Sequence, residues 1–134
     1  MVNIGDMTIQ GQADILPRNE MNSYSRDMSL GSGTSAITGV GFKPKSVLFF
    51  MGASTSGRAS WGFDRVSQRQ EIHDANAVSA GTYGQSSVYS IYVRGAGEIY
   101  TGKVISLDTD GFTIQWEQSG AITGTINIIY MCFK

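Results

Sequence analysis

His73, the single histidine of the chain, stands near two carboxylates in the stretch Q-E-I-H-D. Glu71 and Asp74 could complete an acid–base pair or contribute oxygen ligands to a metal ion. A metal shell of the usual kind would need a second imidazole, and nucleophilic catalysis would need a serine-centred elbow; the sequence has neither. We therefore interpret His73 as a hydrogen-bonded surface or interface residue. We predict no catalytic residue, no metal site, no cofactor and no enzymatic activity.

Three glycine-containing stretches resemble ligand-binding loops only in part. In G-A-S-T-S-G (52–57), Arg58 and Ala59 follow where a phosphate-binding loop needs a lysine and a serine or threonine. G-S-G-T-S-A (31–36) shares only its glycines with a dinucleotide fingerprint. D-T-D-G (108–111) begins like a calcium loop but continues with Phe112 instead of an oxygen ligand. We interpret the three stretches as a polar loop, a hinge and a hairpin turn.

Aromatic residues in or beside predicted loops are further candidates for binding. Such rings could stack on sugars, with Asp64 and Arg65 supplying hydrogen bonds. They could equally anchor a subunit interface, where tyrosine and tryptophan provide much of the contact area. We favour the interface, because any contact surface of a small β domain needs such anchors. The residues concerned are Trp61, Tyr83, Tyr89, Tyr92 and Tyr100.

Length and composition indicate one soluble domain. The 134 residues can bury a core of their own. Ten basic and eleven acidic residues are spread along the chain, so no basic stripe predicts a nucleic-acid or membrane partner. Cys132, the single cysteine, lies in an apolar run and is expected to be buried. The N-terminus lacks the pattern of a secretory signal, so we expect synthesis in the cytoplasm.

Alternation of apolar and polar residues predicts β-strands from about Thr34 onward. The strand G-F-T-I-Q-W-E places Phe112, Ile114 and Trp116 on one face, and with K-V-I-S-L before the D-T-D-G turn it predicts a hairpin over 103–118. Further strands are predicted at 35–40, 59–64, 70–75 and 88–93. The spacing of strands and turns predicts an all-β fold, an antiparallel β-sandwich of jelly-roll or lectin-like type with about eight strands.

Two of the predicted strands are apolar on both faces. V-L-F-F-M (47–51) follows Pro44, which belongs at the start of a strand because proline cannot donate to the ladder. We expect this segment to be a core strand. The C-terminal run T-I-N-I-I-Y-M-C-F (125–133) needs cover on both faces, so it should lie centrally or under a neighbouring subunit.

The first 33 residues differ from the rest. They are mostly polar, are broken by Pro17 and end in a flexible G-S-G. Met21, Tyr24 and Met28 have a spacing that allows one short helix after Pro17. Such a segment buries too little by itself to offset its ordering entropy. We therefore predict an N-terminal arm over 1–33, ordered against the sandwich or another chain, and a β-sandwich domain over 34–134.

Three stretches together resemble a small β-rich module of bacteriophage virion proteins, and the layout is similar to that of the trimeric H-type lectins. The stretches are G-F-K-P-K-S-V-L-F-F (41–50), S-W-G-F-D (60–64) and D-T-D-G-F-T-I-Q-W (108–116), with I-I-Y-M-C-F as a further match. The resemblance implies a virion structural role, as a capsid decoration (cement) protein or as part of a tail fibre. Neither heptads nor repeats surround the module, which favours a free-standing decoration protein.

From this resemblance we expect a homotrimer that binds and stabilises the lattice of the major capsid protein on the capsid exterior. The alternative is a tail-fibre module that recognises host carbohydrate. The expected capsid contacts of the arm are Ile4, Met7, Ile9, Ile15, Leu16, Met21, Tyr24 and Met28. The expected trimer interface, or the glycan site of the alternative, comprises Trp61, Asp64, Arg65, Tyr83, Tyr89 and Tyr92.

Overall fold

The computed structural model describes residues 18–54, 58–74 and 83–134, and within these ranges the chain is all-β. In this part of the chain ten strands form two antiparallel sheets that pack face to face, so the predicted sandwich is confirmed. A six-stranded sheet has the order β1-β10-β3-β4-β5-β6, and a four-stranded sheet has the order β2-β9-β8-β7. The strands are β1 Asn19–Asp27, β2 Gly33–Thr38, β3 Ser46–Ala53, β4 Ala59–Asp64, β5 Arg69–Asp74, β6 Tyr83–Ser86, β7 Ile91–Arg94, β8 Ile99–Asp108, β9 Gly111–Ser119 and β10 Thr125–Phe133.

Two of the ten strands were not among the eight predicted ones. β1 forms where a short helix after Pro17 was allowed, and it pairs with β10 from Asn19↔Phe133 to Asp27↔Thr125. β6 is a four-residue edge strand, and most of its residues are polar. Residues 1–17 of the predicted arm lie outside the described residues, whereas 19–27 form an integral edge of the six-stranded sheet.

The core lies between the sheets and is built from alternate residues of each strand. Val47, Phe49 and Met51 point inward from β3, and their neighbours point outward, because successive side chains of a strand alternate between its faces. Phe112 of β9 packs edge-on against Phe49, with ring centroids 5.8 Å apart. Aromatic contacts of this geometry contribute roughly 0.5–1.5 kcal/mol beyond the area they bury. The two inner faces are therefore joined by aromatic interdigitation.

Cys132 belongs to this core and is fully buried, as its position in an apolar run predicted. Burial raises the pKa of its thiol to about 12, because the thiolate would lose its hydration. The residue therefore behaves as a small hydrophobic side chain.

The predicted D-T-D-G hairpin joins β8 and β9. Asp108 pairs with Gly111 across the turn, and the Asp108 carboxylate accepts a hydrogen bond from Thr113 Oγ1 at 2.8 Å. Asp110 accepts hydrogen bonds from the backbone N–H groups of Gly39 and Gly41. Both carboxylates of the calcium-like motif are therefore engaged in fixing loops.

Asp64 ties the two sheets together. Its side chain is fully buried at the end of β4, and Oδ2 accepts a hydrogen bond from the N–H of Val104 on β8 at 2.8 Å. The β8–β9 pairing shifts register between Val104 and Ser106. Arg69 Nε lies 3.1 Å from the same carboxylate oxygen, which supplies the opposite charge that a buried carboxylate requires.

β7 closes one side of the sandwich by lying against β4 and β5. The N–H of Tyr92 donates to Ser60 Oγ at 3.2 Å, so a side chain of β4 satisfies this edge group of β7. The approach is close enough that a Cβ at Gly62 would lie 1.7 Å from the carbonyl oxygen of Ser90. The contact between the sheets at this point requires glycine.

Gly62→Ala is therefore expected to push β7 away from β4 and to lower the free energy of unfolding by about 3 kcal/mol, as overpacking against backbone does. Gly52→Ala on the adjoining strand is the matched control, because nothing lies within 4 Å of its Cβ. Urea unfolding followed by tryptophan fluorescence measures both. Equal stabilities of the two variants would contradict this account of the closure.

Candidate functional site

The outward face of the six-stranded sheet carries a contiguous apolar surface. Pairing places Ile129, Phe50, Trp61 and Ile72 side by side across β10, β3, β4 and β5. A neighbouring row places Leu48 beside Phe63. Residues paired in this way have Cβ atoms about 4.5–5.5 Å apart, so their side chains form one surface. We call this surface the outer patch and define it as Leu48, Phe50, Trp61, Phe63, Ile72 and Ile129.

The outer patch is exposed and uncharged. Ile129 is 50% exposed and Ile72 is 52% exposed, and the remaining members are exposed or half-buried. The same two rows continue at their ends into uncharged side chains, namely Ser23, Gln85, Met21, Met131 and Gln70. Large apolar surfaces without charge are typical of the centre of a protein–protein interface. The outer patch is therefore the strongest candidate for a functional surface among the described residues.

The β3 and β10 half of the outer patch, Leu48, Phe50 and Ile129, follows from the two strands that are apolar on both faces. The inward residues of β3 and β10 enter the core, and the alternate residues must then face outward. The prediction that β10 needs cover on both faces is met on the inner face only, because Ile129 remains exposed in the subunit. The patch residues not among the predicted site residues are Leu48, Phe50, Phe63, Ile72 and Ile129. The unbroken apolar runs of β3 and β10 were the available signal for Leu48, Phe50 and Ile129, whereas Phe63 and Ile72 lie on β4 and β5.

The predicted arm residues are distributed unevenly. Ile4, Met7, Ile9, Ile15 and Leu16 lie outside the described residues. Met28 is buried in the core, and Tyr24 is half-buried with its hydroxyl donating to Ser35 Oγ at 3.0 Å. Met21 is 64% exposed and adjoins Met131 at the edge of the outer patch. Among the described arm residues named for partner contact, Met21 is the most exposed.

The structure places the predicted aromatic site residues in different regions. Trp61 belongs to the outer patch, and Tyr83 is an exposed residue of β6 in the same sheet. Tyr89 and Tyr92 contact each other beside the four-stranded sheet, where the hydroxyl of Tyr89 donates to Glu117 Oε2 at 3.0 Å. Tyr100 is fully buried, which is incompatible with stacking on a sugar.

The two polar residues of the predicted site, Asp64 and Arg65, lie in different environments. Asp64 is buried between the sheets and bound to backbone N–H groups, whereas Arg65, the next residue, is exposed in the β4–β5 loop. Asp64 therefore has no surface to offer a ligand in this subunit. Its role is to position the loop that follows it.

His73 and Glu71 form a buried pair on the inner face of β5. His73 Nδ1 lies 2.9 Å from Glu71 Oε1, and the His73 ring stacks on Tyr92 at a centroid distance of 4.0 Å. Gly84 covers the other nitrogen, because a Cβ there would lie 2.3 Å from Nε2. The ring is enclosed by protein on these sides, so the pair joins β5 to β7. His73 is a buried hydrogen-bonded residue in the subunit, whereas the sequence indicated the surface or an interface.

The described residues contain no group of three or more histidine, cysteine, aspartate or glutamate side chains that could hold a metal ion. Within the same residues no helix is long and apolar enough to cross a membrane. Of G-A-S-T-S-G, residues 55–57 lie outside the described part of the chain. Gly31 of the predicted hinge ends the short 3-10 turn Met28–Leu30, and Gly33 begins β2.

Comparison with known proteins does not identify a family for the chain. No protein family and no curated protein matches the chain. Among solved structures, the chain is similar to the tailspike protein gp49 from Acinetobacter baumannii bacteriophage Fri1, a capsular polysaccharide depolymerase, with 13% identity and a TM-score of 0.34. The match covers 95% of this chain and 21% of that one, so the chain spans about a fifth of the length of the tailspike. A likeness this weak carries no argument about fold or function.

The pH dependence of stability tests the structural role of the buried pair. Burial raises the pKa of Glu71, and the hydrogen bond from His73 opposes part of the rise. The carboxyl group of Glu71 therefore stays protonated to a higher pH in the folded state than in the unfolded chain, where its pKa is near 4.5. The stabilisation from Glu71 is present below that pH and is lost as pH rises through the raised pKa. Glu71→Gln should thus gain stability relative to the native protein as pH rises through this window.

Glu117→Gln provides a control of opposite sign. The hydrogen bond from Lys103 lowers the pKa of Glu117, so the native protein gains stability from this residue above the unfolded value and loses it as pH falls through the lowered pKa. Glu117→Gln should lose relative stability as pH rises. Urea unfolding across a pH series measures both variants, and slopes of the same sign would refute the assignment for Glu71.

Proposed function

We propose that the protein is a structural subunit of a bacteriophage particle that assembles with copies of itself through the outer patch. The observation that supports this proposal is the uncharged apolar surface across four strands of the six-stranded sheet. Covering an exposed half of a large apolar side chain contributes roughly 1 kcal/mol, so several such residues are needed to offset the cost of association. The outer patch supplies several of them in one place.

The phage assignment rests on the residues that resemble virion modules. Two of the three stretches, 41–50 and 60–64, fold into β3, β4 and the segment before β3, and they supply Leu48, Phe50, Trp61 and Phe63 of the outer patch. The third stretch, 108–116, forms the turn between β8 and β9 and the first six residues of β9. Two of the three stretches that resemble virion modules therefore contribute residues to the outer patch, the surface proposed to make the subunit contacts.

In its more specific form the proposal is a homotrimeric capsid decoration protein on the capsid exterior. A protein that binds the assembled lattice alone stabilises it by RT ln(1 + [L]/Kd), roughly 4 kcal/mol at a thousandfold excess over Kd. A trimer binds with higher overall affinity than one subunit if its geometry lets all three subunits contact the major capsid protein at the same time. Weak contacts per subunit then suffice for lasting attachment.

A tail-fibre module that binds host carbohydrate is the second candidate. Tyr83 is 72% exposed, and Trp61 presents its ring on the same sheet. Exposed aromatic rings of this kind can stack on sugars. The two candidates differ in where the protein is found in the particle.

Self-association is tested by a pair of substitutions of the same residue type. Ile129→Asp places a charge in the outer patch and should dissociate the trimer, raising the apparent Kd at least about tenfold, or ~1.4 kcal/mol. Ile105→Asp is the control, because Ile105 is 42% exposed on β8, in the other sheet. Sedimentation velocity over a concentration series measures both. A native protein that stays monomeric, or equal effects of the two substitutions, would contradict the proposal.

The location in the particle is tested on virions separated into heads and tails. The decoration role predicts that an antibody detects the protein on heads, and that the chain lacking residues 1–17 keeps its fold but binds purified heads more weakly in co-sedimentation. The truncation stops before Arg18 so that β1 stays in the six-stranded sheet. Detection on tails alone would favour the carbohydrate-binding module.

A further inference from the structure

Two adjoining hollows lie at the end of the sandwich where β4 ends and β3 begins. One has a volume of about 490 Å³ and the other about 530 Å³, and both are bordered by Phe63 and Ser67. Small-molecule sites in proteins commonly occupy about 300–1,000 Å³. Gln68 and Gln70 line the first hollow, so hydrogen-bonding groups surround the exposed ring of Phe63.

The second hollow is positively charged. Lys43, Lys45 and Arg65 line it, and all three are exposed. Within the described residues, none of the three forms an ion pair with a carboxylate, whereas the nearby Arg69 is paired with Asp64 at 3.1 Å. Because the chain as a whole is close to neutral, with a net charge of −1, this local excess of positive charge favours an anionic ligand. We call the two hollows together the basic groove.

The loop between β4 and β5 that lines both hollows has a strained backbone. Val66 has a φ of 68° and is the one non-glycine residue with positive φ in the described part of the chain. A β-branched residue rarely adopts this conformation, which costs on the order of 1–3 kcal/mol and persists where its surroundings enforce it. Strain of this kind is concentrated at binding and catalytic sites.

The surroundings of Val66 enforce this conformation. The N–H of Val66 donates to Asp64 Oδ1 at 2.7 Å, and the carbonyl of Val66 accepts from Arg69 Nη2 at 2.8 Å. The N–H of Arg65 donates to the carbonyl of Gln68 at 3.0 Å and closes the loop. The backbone at Arg65 is therefore held in place before a ligand binds, so the loop loses less conformational entropy on binding.

We propose that the basic groove binds a carboxylate-bearing oligosaccharide. Lys43, Lys45 and Arg65 supply charge-assisted hydrogen bonds to carboxylates. The ring of Phe63 offers an apolar face to the C–H groups of a sugar, and the side-chain amides of Gln68 and Gln70 can both donate to and accept from sugar hydroxyls. An acidic peptide offers partners to the same cations and amides, so the preference for a sugar rests on the exposed ring of Phe63. This site shares Phe63 with the edge of the outer patch, whereas its cations and amides lie outside the patch, and the inference is tested independently of self-association.

The test uses the full chain, with tetragalacturonate as the probe and isothermal titration calorimetry as the measurement. Tetragalacturonate should bind saturably, and the uncharged maltotetraose should bind at least about tenfold more weakly, ~1.4 kcal/mol. Arg65→Ala should weaken tetragalacturonate binding by a similar factor. Arg94→Ala, which removes an exposed arginine from β7 in the other sheet, should leave it unchanged.

A third ligand distinguishes sugar recognition from charge alone. Tetraglutamate carries the same number of side-chain carboxylates without the sugar rings, so it should bind more weakly than tetragalacturonate. Equal binding of tetraglutamate, equal effects of Arg65→Ala and Arg94→Ala, or no saturable binding of tetragalacturonate would each overturn the inference. Sedimentation of the same Arg65→Ala sample reports the oligomeric state, so a failure of the ligand site is distinguished from a failure of self-association.

Discussion

A strand in a two-layer sandwich can bury only every second side chain in its own core. β3 and β10 have apolar residues at consecutive positions, so burying Phe49 on the inner face places Phe50 on the outer face. The same constraint acts on Ile128 and Ile129 of β10. The two strands are neighbours in the six-stranded sheet, and their outward residues therefore merge into one surface. This surface is the β3 and β10 half of the outer patch; Trp61, Phe63 and Ile72 of β4 and β5 extend it, and the proposal of an assembling subunit rests on the whole.

Buried polar residues hold the layers around this core. At one end Asp64 links β4 to β8 and to the loop at Val66. At the other end Arg26 of β1 donates to Ser35 Oγ, to the carbonyl of Gly31 and to the hydroxyl of Tyr100, and its guanidinium lies 5.2 Å from the centre of the Trp116 ring. Asp64 and Arg26 each have several partners, which is the condition under which buried charges are tolerated. The sandwich is thus fixed by polar contacts near its ends and by apolar packing in the middle.

The sequence was informative where a segment carries its own pattern. The alternation in G-F-T-I-Q-W-E and the D-T-D-G turn suffice to predict the β8–β9 hairpin, because both depend on residues close in the chain. β1 was missed because it is an edge strand whose outward side chains face solvent, so N-E-M-N-S-Y-S-R-D shows no apolar alternation. The spacing of Met21, Tyr24 and Met28 fits a helix equally well, and only pairing with β10 selects the strand. β6 was also missed, because this edge strand has only four residues, most of them polar, and shows no apolar alternation.

Residue type and local spacing already predict that the chain forms short antiparallel strands, that Cys132 is a buried hydrophobic residue and that two strands carry more apolar residues than one core face can cover. These properties depend on residue type and on spacing along a few positions. Tertiary structure alone decided which of those residues share the outer patch, that Asp64 is buried while Arg65 is exposed, and that Lys43 and Lys45 lie beside the β4–β5 loop. The physical reason is that these relations depend on strand order and register, which bring together residues far apart in the chain and are fixed only when the two sheets pack.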